Sequence, residues 1–172
     1  CNILNNYLFG VNETVREYVR LTQELDARDT PVVLVLFGDH KPWMGNGGSV
    51  YEEMGIDFDT STLAGFRNYY ATPYLIWANR AAKEVLGADF TGDGGDFSPC
   101  FLMTRLFDAC GWAGPGYMQL SRAMRDISPL LHTNGLFLHD GVLTSVLSDT
   151  DHSFYRSWLA VQYYREHVAA YS

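Results

Sequence analysis

One stretch decides the fold: Pro31-Val32-Val33-Leu34-Val35-Leu36-Phe37-Gly38-Asp39-His40-Lys41-Pro42. Its first part, 32–37, is an unbroken apolar run that is rich in β-branched residues and is followed by turn-forming residues. Such a run predicts a strand that is buried on both faces of a parallel sheet. Ligands of open α/β sheets bind beyond the carboxyl ends of the strands, so the polar residues after Gly38 are candidate site residues.

Asp39 and His40 stand side by side where this strand ends. A carboxylate oxygen and an imidazole nitrogen are both common metal ligands. Neighbouring side chains on a regular strand point to opposite faces, so these two can reach one ligand only if the chain bends at Gly38. The alternative is an ordinary turn, in which Asp39 caps backbone amides and His40 is partly exposed.

Composition limits the classes of function. The chain has 172 residues, of which 47% are hydrophobic and 19% are charged, so we expect one globular domain with a real core. The formal net charge of −8 argues against nucleic acid as a partner and against electrostatic docking on anionic lipid. No apolar run approaches the roughly 20 residues that span a bilayer, and no signal peptide opens the sequence.

The remaining sequence predicts the elements around this strand. The opening is expected to form two helices, the second capped by Asn12 or Thr14 and ending near Leu25. A connecting loop over 55–70, with one helical turn, is expected to pass over the site. A second strand is predicted over 74–78, before a helix capped by Asn79.

The end of the chain carries a different signal. Asp140-Gly141 between two apolar runs predicts a β-hairpin, and a last helix is predicted from about Asp151 to about Val168. The predicted fold is therefore α/β, with buried, mostly parallel strands flanked by helices, plus a C-terminal β-hairpin and helix.

A family resemblance covers nearly the whole chain. The run Val-Leu-Phe-Gly-Asp-His-Lys-Pro-Trp at 35–43 resembles the metal-site strand of the sulfatase and alkaline phosphatase superfamily, above all its lipoteichoic acid synthase and phosphoglycerol transferase branch. Further similarity, in matching order and spacing, lies in Thr72-Pro73-Tyr74-Leu75-Ile76-Trp77-Ala78-Asn79, Ser98-Pro99-Cys100-Phe101-Leu102 and Val161-Gln162-Tyr163-Tyr164. The resemblance implies a partial alkaline phosphatase-like (sulfatase) domain, with residues 1–172 as the single C-terminal portion of a larger ectodomain.

The resemblance also implies the residues of the site. Asp39 and His40 would bind a divalent cation, manganese by analogy with the family. Lys41 would add positive charge near the substrate, and Trp43, in a Gly-rich loop, would pack an exposed ring against it. The Thr nucleophile of the family, a further acidic ligand and a substrate-binding His all lie upstream of the matching residues. We therefore expect an incomplete metal site, no catalytic residue and no turnover from these 172 residues alone.

The function implied for the longer protein, called the parent here, is transfer of a phosphoglycerol or related phospho-group from a lipid donor to a cell-envelope acceptor. The partners would be the upstream half of the same ectodomain and, as substrate, an anionic lipid head group or a sulfate ester. Two alternatives stay open: a sulfuric ester hydrolase, which shares the metal pair, and a non-catalytic binding or structural module. The parent is expected in the bacterial cell membrane with an extracellular catalytic domain, and this portion is expected to be soluble.

Overall fold

The central strand lies where the sequence predicts it. In the computed structural model of the protein, which describes residues 2–168, strand β1 spans Val33–Phe37 and pairs with β2, Tyr74–Ala78. The pairing is antiparallel, with Val35 opposite Ile76. The chain is thus mixed α/β, as predicted, but both strand pairs among the described residues are antiparallel, and the expectation of mostly parallel strands is corrected.

The expected burial of β1 is also corrected. Val33 to Leu36 are only half-buried, and Phe37 is 62% exposed. The physical reason is that an apolar run indicates a tendency toward burial, but it specifies neither the direction of the neighbouring strand nor how much of each face is covered.

The first helix runs without a break through the predicted boundary. Helix α1 spans Asn2–Asp26, and it includes Gly10. The Thr14 hydroxyl does not cap a new helix but donates a hydrogen bond to the Gly10 carbonyl, 2.9 Å away and one turn earlier in the same helix. The predicted pair of helices is therefore a single one.

Three short helices complete the first of two compact units, Cys1–Phe90. A 3₁₀ turn at Asn46–Gly48 leads into α2, Ser49–Glu53, which is followed by α3, Leu63–Tyr70, and α4, Arg80–Leu86. The segment 55–70 thus carries a two-turn helix rather than the single turn predicted for it.

One buried side chain ties the parts of this unit together. The Oδ1 atom of Asn79 accepts hydrogen bonds from the backbone N–H groups of Val32 and Ala82, both at 2.9 Å. Its Nδ2 atom donates to the carbonyl oxygens of Leu25, at 3.0 Å, and Thr30, at 2.9 Å. The predicted cap of α4 therefore also fastens the end of α1 and the start of β1.

The second unit, Thr91–Ser172, is mainly helical. A 3₁₀ turn at Pro99–Phe101 leads into α5, Leu102–Ala109, and α6 spans Gly116–Ile127. The predicted hairpin and last helix are confirmed as β3, Phe137–His139, β4, Val142–Thr144, and α7, Asp149–His167. The core of the unit consists of Phe101, Met124 and Trp158, each at most 2% exposed.

The hairpin turn has the predicted chemistry. Asp140 and Gly141 both have positive φ angles, 49° and 77°. A two-residue turn with two positive φ angles suits the right-handed twist of the strands, and Asp-Gly is among the pairs that adopt it most easily.

A cluster of charges joins α5 to α6. The Asp108 carboxylate accepts hydrogen bonds from Arg122 Nε, at 2.6 Å, and pairs with Arg125 Nη2, at 2.7 Å. Burial alone would raise the pKa of Asp108, but the hydrogen bonds from Arg125 and Arg122 outweigh it and hold the pKa below its usual value.

This cluster predicts a pH-dependent stability. A depressed pKa means that the unfolded chain binds the proton more readily, so the contribution of Asp108 is present above the ordinary carboxyl pKa and is lost as pH falls through the depressed one. We expect Asp108→Asn to lower the free energy of unfolding by about 1–3 kcal/mol at pH 7 and by less at pH 3, below the ordinary carboxyl pKa. Urea unfolding at the two pH values measures the difference.

The control for this prediction is Asp126→Asn. Asp126 is 69% exposed and lies 3.7 Å from the same Arg125, so its loss should change stability by only a few tenths of a kcal/mol at either pH. An equal loss for Asp108→Asn at pH 7 and pH 3 would show that the ion cluster does not carry the effect.

Among residues 2–168, none of the helices combines the length and the apolar character that crossing a bilayer requires.

Candidate functional site

The predicted site residues lie together at the end of β1, in the first unit. Gly38 follows the strand, and its N–H donates to the Pro73 carbonyl, at 3.0 Å. Its carbonyl in turn accepts a hydrogen bond from the Thr72 hydroxyl, at 2.6 Å. These bonds fix the end of β1 against the start of β2, and Asp39 and His40 project beyond it.

Asp39 and His40 point toward each other, as the metal hypothesis requires. Asp39 Oδ2 and His40 Nε2 are 3.4 Å apart, and the two side chains are 79% and 76% exposed. This separation is compatible with two ligands that each lie about 2.1 Å from one ion. Asp39 also makes the backbone contact expected of an ordinary turn: its Oδ1 atom accepts a hydrogen bond from the backbone N–H of His40, at 2.9 Å.

The tautomer of His40 follows from its other ring nitrogen. His40 Nδ1 lies 2.8 Å from the Lys41 carbonyl oxygen. A carbonyl oxygen can only accept, so Nδ1 carries the hydrogen, and Nε2 of the neutral ring keeps a lone pair. Asp39 Oδ2 and His40 Nε2 are then two acceptors that face each other. A cation between them, or a proton on Nε2, would hold the two side chains together. Such orientation of a ligand imidazole by a backbone carbonyl is common at metal sites.

The pair supplies two ligands, and the rest of a coordination sphere must come from elsewhere. Among residues 2–168, no group of three or more His, Cys, Asp or Glu side chains lies close enough to hold an ion. Asp39 and His40 alone therefore offer two of the ligands that a divalent cation would need.

A cleft of about 620 Å³ opens beside the pair. All four residues singled out from the sequence line it, and Trp43 is 67% exposed, as predicted. The other residues of its wall come from the Gly-rich loop, α2 and the segment before and within α3. We call it the aromatic cleft, and its principal lining residues are Asp39, His40, Lys41, Trp43, Tyr51, Phe58, Tyr69 and Tyr70.

Four rings of this wall contact one another in sequence. The ring centroids of Tyr51 and Phe58 are 4.9 Å apart, those of Phe58 and Tyr69 are 5.5 Å apart, and those of Tyr69 and Tyr70 are 4.7 Å apart. All three contacts have the edge-to-face geometry that aromatic pairs favour. The sequence signal for this wall is the density of aromatic residues in segment 55–70, which is predicted to cross the site.

The loop that carries Trp43 is fixed from both sides. The Tyr51 hydroxyl donates to the Pro42 carbonyl, at 2.9 Å, and burial, with a smaller effect from Tyr7, raises the pKa of Tyr51, so the hydroxyl keeps its proton. Met44 is 4% exposed. Gly45 has φ 88° and ψ 167°, and a Cβ atom at this position would lie 2.5 Å from the Ser49 hydroxyl oxygen. Only glycine takes this backbone conformation without strain.

A second His–Asp pair lies on the hairpin of the other unit. His139 Nε2 and Asp140 Oδ2 are 3.7 Å apart, and His139 Nδ1 lies 3.1 Å from the Ile127 carbonyl oxygen. The local arrangement resembles that of Asp39 and His40, so the pair serves as a matched control in experiments.

The comparisons with known proteins give one relative. The chain is 27% identical over 121 residues to a protein of Rhizobium meliloti (strain 1021) named "Putative cyclic beta-1,2-glucan modification protein". The match covers 67% of this chain and 17% of that protein, so the chain spans less than a fifth of the relative's length. No family model matches the chain, and no solved structure matches it.

Proposed function

We propose that this chain is the C-terminal portion of a parent enzyme that transfers a phosphoglycerol or related phospho-group from an anionic lipid to a cell-envelope glycan. The observation that carries the proposal is the pair of acceptors, Asp39 Oδ2 and His40 Nε2, 3.4 Å apart at the end of β1 and on the wall of a cleft. The resemblance to the phosphoglycerol transferase branch, with its partial alkaline phosphatase-like domain, and the relative named for glucan modification support it.

In the proposed enzyme, Asp39 and His40 hold a divalent cation, manganese by analogy with the family. When bound, the cation stabilises charge that develops on the phosphoryl oxygens and activates the nucleophile. The Lys41 carbonyl fixes the His40 tautomer that leaves Nε2 free to bind, and the Lys41 ammonium adds positive charge beside the phospho-group. A Thr nucleophile and the other metal ligands would come from the upstream half of the parent, placed in its extracellular domain at the cell membrane.

The decisive experiment measures phospho-group transfer by the parent with and without Mn²⁺. We expect Asp39→Asn and His40→Ala each to lower kcat/KM on the order of 10²-fold or more, as for other lost electrostatic stabilisers of a transition state. The melting temperature should stay unchanged, because both side chains are exposed. The matched control, Asp140→Asn, keeps a residue that tolerates a positive φ and should leave activity intact.

Each rival function corresponds to a different result. Turnover of sulfate esters with little transfer of phosphoglycerol would establish the sulfuric ester hydrolase. Glycan binding without Mn²⁺-dependent turnover of either substrate would establish a non-catalytic binding module. A fully active His40→Ala parent would rule out the metal role of the pair in all of them.

A further inference from the structure

We propose that the ring-lined wall of the aromatic cleft binds a neutral sugar ring of the glycan acceptor, with Trp43 as the platform on which that ring stacks. The inference rests on the proposed function and adds to it the chemical class of the acceptor and the residues that hold it.

The rings of the aromatic cleft form two layers, a half-buried inner one and an exposed outer one. Tyr51 and Phe58 are half-buried and contact each other, while Trp43 and Tyr69 are 67% and 48% exposed. Phe58 contacts the ring of Tyr69, and the Tyr51 hydroxyl holds the loop next to Trp43 through its bond to the Pro42 carbonyl. The two outer rings present apolar surface that the described residues of the unit leave in water. Large rigid rings offer a ligand much contact area at a small cost in conformational entropy.

The polar groups at the rim decide which ligand suits this surface. Asp39, His40 and Lys41 stand on the same wall as the rings. A wholly apolar ligand would remove water from these groups without replacing their hydrogen bonds. A polyanion would be attracted by Lys41 and repelled by Asp39. A pyranose has apolar C–H faces for the rings and hydroxyl groups around its edge for the rim, so it satisfies both parts of the wall.

The position of the cleft fits an acceptor rather than a donor tail. In a phospho-group transfer the acceptor hydroxyl must approach phosphorus beside the cation, within about 3–3.5 Å of the reacting atom. The rings share one cleft with the Asp39–His40 pair, so a sugar stacked on Trp43 lies next to the site of the chemistry. The cleft, at about 620 Å³, has the volume of an ordinary small-molecule site.

The test is a calorimetric titration of the full-length parent with cyclic β-1,2-glucan in the presence of EDTA. We expect saturable binding that weakens roughly tenfold in Trp43→Ala, the loss of one aromatic contact, and is largely kept in Trp43→Phe. Trp112→Ala is the matched control, because Trp112 is an exposed tryptophan, 47% accessible, in the other unit. Its loss should leave the affinity for glucan unchanged.

Three results would overturn the inference: no glucan binding by the unmodified parent, equal affinity in Trp43→Ala, or glucan displaced by glycerol phosphate added alone. The last would show that the rings receive the head group of the donor.

A kinetic measurement separates this inference from the function on which it rests. Trp43→Ala should raise KM for glucan roughly tenfold and lower kcat far less than Asp39→Asn does, whereas Asp39→Asn should lower kcat of Mn²⁺-dependent transfer on the order of 10²-fold. An unchanged KM in Trp43→Ala beside the full loss in Asp39→Asn would overturn this inference and leave the proposed function standing.

Discussion

Replacing Asn79 by alanine is expected to lower the free energy of unfolding by about 3–5 kcal/mol. Asn79 is fully buried, and its amide joins Val32 and Ala82 to the carbonyls of Leu25 and Thr30. Its removal leaves two backbone N–H groups without their acceptor and takes a donor from three carbonyls, of which that of Leu25 keeps the N–H of Arg28. Each buried polar group left unpaired costs about 1–3 kcal/mol, less where water can reach it. Urea unfolding followed by circular dichroism measures the loss.

Two further variants make this prediction specific. Asn68→Ala removes an amide that makes one exposed hydrogen bond, 2.9 Å from the Asp57 carbonyl, and should cost less than about 1 kcal/mol. Asn79→Asp keeps both acceptor contacts but sets a carboxylate oxygen against two carbonyls, so it should be about as harmful as alanine. A loss below about 1 kcal/mol for Asn79→Ala would show that the network does not hold the unit together.

Trp158→Ala is expected to destabilise the second unit by a similar amount, about 3–5 kcal/mol. Trp158 is 2% exposed, packs against Phe101 with ring centroids 5.8 Å apart, and donates its indole N–H to the Ser121 hydroxyl at 3.0 Å. Truncation therefore opens a cavity and removes a buried hydrogen bond together. Thermal unfolding followed by near-ultraviolet circular dichroism, which reports on the packing of rings, is the measurement.

The contribution of the hydrogen bond to this loss can be separated from that of the cavity. Ser121→Ala deletes only the acceptor and should cost about 1–3 kcal/mol, because the indole N–H is then buried without its partner. Trp112→Ala, at a tryptophan that is exposed, should cost less than about 1 kcal/mol. Equal melting temperatures for Trp158→Ala and Trp112→Ala would show that the core of this unit lies elsewhere.

The sequence located the strands well because each has a local cause. The β-branched run before Gly38, the strand after Pro73 and the turn at Asp140-Gly141 all depend on neighbouring residues, and all three elements are present. The direction of pairing has no such local cause. Val35 meets Ile76, 41 positions away, and which strand lies beside an apolar run depends on the connection between them rather than on the run itself.

The missed continuity of α1 has a similar origin. Gly10 and the capping pattern that begins at Thr14 both argued for a break, and a glycine inside a helix costs roughly 1 kcal/mol relative to alanine. In the folded chain the Thr14 hydroxyl turns back to the Gly10 carbonyl. A local penalty of this size is easily outweighed when the residues on both sides favour a helix.

The sequence predicts the position of residues that follow the strand directly, but not of residues that folding brings to the cleft. Asp39, His40, Lys41 and Trp43 follow β1 directly, so placing the strand placed them. Tyr69 reaches the same cleft through α3, and no spacing rule links it to Asp39. Its position in the cleft depends on a tertiary contact, with Phe58, that the sequence pattern does not encode.

The loop between β1 and α2 also bears on how such a site can change over generations. Its path depends on Gly45, where a side chain would meet Ser49, while the neighbouring ring of Trp43 extends into water. The fold therefore restricts substitution at the glycine and places little restriction of its own on the tryptophan. If the proposed sugar platform is correct, a lineage that retains the glycine can exchange the ring, and with it the preferred ligand, in a single step that leaves Asp39, His40 and the path of the backbone as they were.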